Sequence, residues 1–256
     1  TWSPAALPEG TPLLNWVHGT GSDDVWVAGL QGTLLHWDGA EWVDHSVQTD
    51  AAFWGLFARS PDEVVAVGGA SRWGGEAAMI YSFDGEQWSE QALPETASGL
   101  GNLFKVFHDG TQYWLVGAGG AAMVGDIDVG FTSAPTGFAG DLVTITGDPV
   151  VAVGGRGTGL IMEADGGRLV SGPQTNAGLN GVRVYPGGIA IVVGEFGYSA
   201  IYDLTDGSLE PIPSVTTDIL HATWGGPGGE MYAVGGNLNT AEEYFHGVIL
   251  NGRAPE

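Results

Sequence analysis

The 256-residue chain has no cysteine and only seven basic residues. The first absence removes disulfides, thiolate metal sites and a cysteine nucleophile. The second stands against 30 Asp and Glu and a formal charge of −23. It excludes nucleic acid as a partner, because a polyanion is held by clustered Lys and Arg. Acidity of this degree suits solubility in a salty or extracellular medium. No run of about 18 apolar residues occurs, so no segment reads as a membrane span. Helical periodicity is also missing, because glycine interrupts almost every window long enough for a helix. Gly-x-Ser-x-Gly and His-Glu-x-x-His are absent, and "GGRGTG" (154–159) lacks the Lys-Ser/Thr of a phosphate loop.

Glycine is abundant, at 45 residues, and aromatics make up 10% of the chain. That composition suits many short strands joined by tight turns. One fragment keeps returning. "SDDVWVAG" ends at Gly29, "PDEVVAVG" at Gly68, "GTQYWLVG" at Gly117, "GDPVVAVG" at Gly154, "GGIAIVVG" at Gly194 and "GGEMYAVG" at Gly235. The spacings are 39, 49, 37, 40 and 41 residues. A period near 40 with several strands per unit marks a β-propeller. Apolar pairs precede each fragment: Leu14/Val17, Phe53/Leu56, Leu103/Val106, Leu142/Ile145, Leu179/Val182 and Leu220/Thr223. These are read as strand A, the innermost of each blade, and the fragments as strand B. "TLLHW" and "MIYSF" are strand C, and Asp38-Gly39 and Asp84-Gly85 are two-residue hairpin turns into the outer strand D at Trp42 and Trp88. Asp23 and Asp24 are expected to bond their own backbone in the A–B turn. The sixth repeat reaches a turn at Asn251-Gly252 without an outer strand, while Trp2 matches Trp42 and Trp88. The expectation is one all-β domain over residues 1–256. It is a six-bladed β-propeller of four-stranded antiparallel blades, its last blade completed by the N-terminal strand.

"VHGTGSDDVWVAGLQGTLLHWDGAEW" and "LFARSPDEVVAVGG…MIYSFDGEQW" resemble the "VWGSSPDDVWAVG…GTILHYDG..W" units of secreted or lipid-anchored propellers from myxobacteria and related marine bacteria. The resemblance implies the fold and an extracytoplasmic location (secreted, periplasmic or surface-anchored). It carries no catalytic motif. His36 falls where those repeats often have histidine, and is read as structural.

Propellers usually bind ligands at the mouth of the central channel. The loops after the aligned glycines reach that mouth, and two are long: "GASRWGGEAA" (69–78) and "GNLNTAEEYFHG" (236–247). Long loops are costly to order and often functional. They supply the candidate ligand-binding residues Arg72, Trp73, Asn237, Asn239 and Tyr244, with Arg156 and Tyr198 from neighbouring loops. Arg72, Lys105, Arg156 and Arg183 lie in strand A or these loops, which favours a small anion. Exposed aromatics such as Trp73, Phe196 and Tyr198 suit stacking on a glycan or planar ligand. The leading expectation is an extracytoplasmic module binding a small anion, glycan or peptide at the channel mouth. Two alternatives stand beside it. His221, His246 and His18 offer a copper or zinc site, as carrier or enzyme. Or the chain is a purely structural surface propeller, with His18 packing where other repeats have Phe57, Phe107 and Trp224.

Overall fold

The computed structural model describes residues 3–70, 78–97, 99–226, 229–237 and 246–253. The chain divides into two compact units, Thr1–Ala134 and Pro135–Glu256.

The first unit holds three four-stranded antiparallel sheets, each a meander in chain order. They are β1 (Leu14–Gly21), β2 (Asp24–Gly29), β3 (Leu34–Trp37) and β4 (Trp42–Asp44); β5 (Ala52–Ser60), β6 (Glu63–Gly69), β7 (Met79–Phe83) and β8 (Trp88–Glu90); and β9 (Leu103–His108), β10 (Tyr113–Gly117), β11 (Ala122–Asp126) and β12 (Gly130–Ser133). The second strand of each sheet is almost wholly buried, because it is covered on both faces. Its run of Val, Ala, Leu and Trp therefore reads as continuous rather than alternating. Trp26, Phe53, Leu56 and Met79 join the first two sheets, and Val65, Ile80, Leu103, Tyr113 and Met123 join the second and third.

The second unit repeats the pattern. Its sheets are β13 (Leu142–Thr146), β14 (Val151–Gly154), β15 (Gly159–Asp165) and β16 (Arg168–Thr175); then β17 (Leu179–Tyr185), β18 (Ile189–Gly194), β19 (Ser199–Asp203) and β20 (Leu209–Ile212); then β21 (Ile219–Gly225), β22 (Glu230–Asn237) and β23 (His246–Arg253). Val151, Ile161, Leu179, Val192 and Tyr202 join its first two sheets, and Ile191, Val193 and Leu220 the last two. Among the described residues the sixth sheet has three strands, residues 3–13 form no strand, and Trp2 lies outside them.

Three local expectations are corrected. Asn251 and Gly252 are not a turn: they pair with Tyr232 and Met231 inside β23. The Asp-Gly turns are not two-residue hairpins. Gly39 and Gly85 have φ of 93° and 92°, but no positive φ is found at either aspartate. Instead, Asp38 accepts hydrogen bonds from the Ala40 and Glu41 amides at 2.8 and 2.9 Å, and Asp84 does the same for Glu86 and Gln87 at 2.9 and 2.8 Å. The carboxylate, rather than a left-handed backbone, makes these turns. Asp24 does not cap its own turn either. It is buried, accepts the Thr20 hydroxyl, and faces His36 Nε2 at 2.7 Å. His36 in turn stacks on Trp26 at 4.3 Å between centroids, so the link joins β1, β2 and β3.

The aligned glycines have a steric cause. A Cβ on Gly117 would lie 2.0 Å from the carbonyl oxygen of Asn102, and one on Gly194 would lie 1.9 Å from that of Gly178. At each, the start of strand A crosses the end of strand B too closely for any side chain.

Candidate functional site

Strand A carries a bulge at the same place in all six sheets. Its register against strand B slips at Asn15, Trp54, Phe104, Val143, Asn180 and His221. A bulge re-aims side chains and frees a backbone group from the ladder. Neighbouring sheets are tied at or beside these bulges. Asn15 donates to the Phe53 carbonyl at 3.0 Å and Trp16 Nε1 to that of Leu56 at 2.8 Å. In the second unit, Asn180 donates to the Leu220 carbonyl at 3.2 Å and Thr144 to that of Asn180 at 2.6 Å.

The residue after the bulge is Trp16, Gly55, Lys105, Thr144, Gly181 or Ala222. Lys105 stands out among them. Its Nζ lies 3.3 Å from the centre of the Trp16 ring. Trp16 is on β1 and Lys105 on β9, with β5 of the middle sheet between them in sequence. β5 comes close to β9 because Gly55 has no side chain: a Cβ there would be 2.6 Å from the Phe104 carbonyl oxygen and 3.0 Å from Lys105 Cα. Among the described residues no carboxylate pairs with Lys105 and no hydrogen-bond acceptor takes its amine. Burial alone pushes the amine down to about 7. Removing an ammonium from water without a counter-charge disfavours its charged form, and the face of the indole returns only part of the lost hydration. Trp54 Nε1, at the bulge of β5, is another buried donor without an acceptor. In the second unit, Arg183 has no carboxylate partner among the described residues, and its buried Nε has no acceptor.

The residues expected from sequence fare unevenly. Arg72, Trp73, Asn239 and Tyr244 lie outside the described residues. Asn237 does not lie in a loop: it ends β22 and pairs with His246, the first residue of β23, so the long connection is 238–245. Tyr198 is not an exposed stacking residue. It packs on the core of the second unit, and burial raises its pKa. Arg156 is exposed in the turn between β14 and β15 and already has an interaction partner. Phe196 is the exposed aromatic there, 71% accessible and held at φ 56°.

The histidines are mostly occupied by other work. His18 Nδ1 accepts the Ala58 amide at 3.1 Å, and its ring lies 4.5 Å from that of Phe57. Burial lowers its pKa, partly opposed by Asp24. His246 Nε2 lies 3.0 Å from both oxygens of Asp218. His221 is exposed at the bulge of β21. Among the described residues no three His, Asp or Glu side chains converge as a metal site would require.

The pairing of Lys105 with Trp16 was not anticipated from sequence. Its one signal is the placement of a lysine where the other repeats carry Trp, Gly, Thr, Gly and Ala.

No protein-family model and no curated protein matches the chain. Solved structures do. YCF48 bound to D1 peptide superposes with a TM-score of 0.67 at 17% identity, over 88% of this chain and 76% of that one. Streptogramin B lyase gives 0.70 at 16% identity, over 95% and 83%. The extracellular domain of BT4673 from B. thetaiotaomicron gives 0.66 at 15% identity, over 90% of this chain and 32% of that one. At these identities the likeness is one of fold: an all-β, propeller-like arrangement of antiparallel four-stranded sheets. Among the described residues no helix is long and apolar enough to cross a membrane.

Proposed function

We propose that this chain is an extracytoplasmic binding module that holds the carboxylate of a small ligand or peptide against the innermost strands of its first unit. One observation carries the reading: on a chain of net charge −23, a lysine on the first strand of a sheet has no carboxylate partner among the described residues and rests on Trp16. The chain has 30 acidic residues against seven basic ones, and a cation that none of the described carboxylates neutralises is suited to an outside anion. An entering carboxylate draws a proton onto the amine and gains a charge-assisted hydrogen bond in a poorly solvated place. Arg72 and Trp73, from the long connection of the second sheet in the same unit, extend ligand contact in this reading. Peptide binding by YCF48, a protein of similar fold, favours a peptide over a free ion. The location follows the repeat resemblance, and one structural neighbour is itself an extracellular domain. Closure of a six-bladed ring by the N-terminal segment belongs to the same reading. The match of Trp2 to Trp42 and Trp88 supports it.

The test is calorimetric titration with short peptides bearing a free or an amidated C-terminus. The free acid binds the wild type, the amide binds at least tenfold more weakly, and Lys105→Met binds neither. Equal affinity for acid and amide overturns the reading.

A further inference from the structure

Lys105 is the sole lysine of the chain. Every other cation is an arginine, whose guanidinium stays protonated. The position is therefore unusual in chemistry as well as in placement. An arginine would serve an anion at least as well and would hold it bidentately. What lysine adds is an amine able to lose its proton and act as a nucleophile.

We propose that Lys105 is a carbonyl-capturing site, its Nζ forming an imine with a small aldehyde. Three observations meet at this atom. It lies 3.3 Å from the centre of the Trp16 ring, which sets its place but offers it no counter-charge. Among the described residues no acid or carbonyl holds it in an ion pair or hydrogen bond. The residue as a whole is only partly buried. Burial also leaves a large share of the amine unprotonated near neutral pH, where an exposed lysine is almost fully charged.

The step balances without an oxidant or a metal. The Nζ lone pair attacks the carbonyl carbon, the C=O π pair moves to oxygen, and a proton transfers from nitrogen to that oxygen to give a carbinolamine. The C–O bond then breaks, nitrogen loses its remaining proton, and one water leaves as C=N forms. The inference rests on the previous reading in one respect only, that ligands reach Nζ.

The experiment uses the full chain with propionaldehyde and cyanoborohydride at pH 7, followed by peptide mass mapping. Hydride from the reagent fixes any imine as a secondary amine on Lys105. The reference is the same chain unfolded in urea at the same pH, where Lys105 is an ordinary lysine. Folded protein is expected to be labelled at least about tenfold faster than unfolded. A folded rate equal to or below the unfolded one overturns the proposal. Lys105→Arg separates the two ideas, since it keeps a cation and removes the imine-forming amine. If Lys105→Arg still binds free-acid peptides and the wild type is labelled quickly, both stand. Rapid labelling of a wild type that ignores peptide carboxylates supports imine capture and sinks the anion reading. Carboxylate binding with slow labelling does the reverse. Melting curves of each variant show that it is folded.

Discussion

The inner strands of the two units share one backbone and differ in what they carry. In the first unit they present Trp16, His18, Trp54, Phe57, Phe107 and a lone lysine. In the second, the equivalent positions after the bulge hold Thr144, Gly181 and Ala222, with Arg183 further along β17. Both units use the bulge to tie adjacent sheets, through Asn15 in one and Asn180 in the other. The scaffold is thus indifferent to which unit it serves. What differs is the cation: Lys105 of the first unit rests on the Trp16 ring, while Arg183 of the second lies further along its strand. The copies agree where the backbones cross and disagree in the side chains they carry.

The largest effect should come from what is common to both. Gly117→Ala and Gly194→Ala each drive a Cβ into a carbonyl oxygen, and each is expected to cost about 3 kcal/mol or more in urea unfolding. Similar losses in the two units would show the crossing to be scaffold. A loss confined to one would break the equivalence.

A smaller effect tests a link in which the units differ. Asp24 bridges the Thr20 hydroxyl and His36, whereas in the second unit Glu163 accepts only the Tyr202 hydroxyl. Asp24→Ala removes a buried acceptor from the exposed Thr20 hydroxyl and the half-buried His36 ring, and should cost about 1 kcal/mol. Glu163→Gln keeps an acceptor and should cost about half of that. Chemical denaturation of both variants decides the ranking.

Lys105→Met is expected to stabilise the chain at pH 6, because an unpaired amine gives way to a matching apolar side chain. The sign of the pH dependence follows from the lowered pKa, about 7 in the fold against the ordinary 10.5. Below 7 the folded state bears the whole cost of a buried charge. Above it the folded amine is neutral while the unfolded one stays protonated, and the handicap shrinks until pH passes the ordinary lysine value. Melting temperatures of mutant and wild type should therefore converge between pH 7 and about 10.5. A constant gap would mean that Lys105 is not desolvated.

The smallest effect belongs to the turns. Gln31 and Phe196 both sit at φ 56°, one in each unit. Glycine at either position should stabilise by less than about 1 kcal/mol by relieving left-handed strain. If Phe196→Gly also weakens binding of any peptide, the exposed ring in the second unit has a use that Gln31 lacks.

Much of the fold was legible in one dimension. A glycine recurring about every 40 residues after a Val/Ala run is a covalent fact, and six such runs imply six sheets, because strand length and turn chemistry are local. The partners of each strand in its sheet followed from the short connections. Other features needed distant parts of the chain to meet. The aligned glycines marked the period, yet their cause is a carbonyl about 15 residues away in sequence, too close for a Cβ. Asp24 looked like a turn cap until β3 brought His36 beside it. Tyr198 read as a loop aromatic and became core, since burial is decided by what packs above a residue. Lys105 and Trp16 are 89 residues apart, and no local pattern couples them. The sequence alone determined the repeat, the strands and the acidity. Tertiary structure decided that, among the described residues, Lys105 and Arg183 have no carboxylate partner, because desolvation and pairing depend on the neighbours that folding supplies.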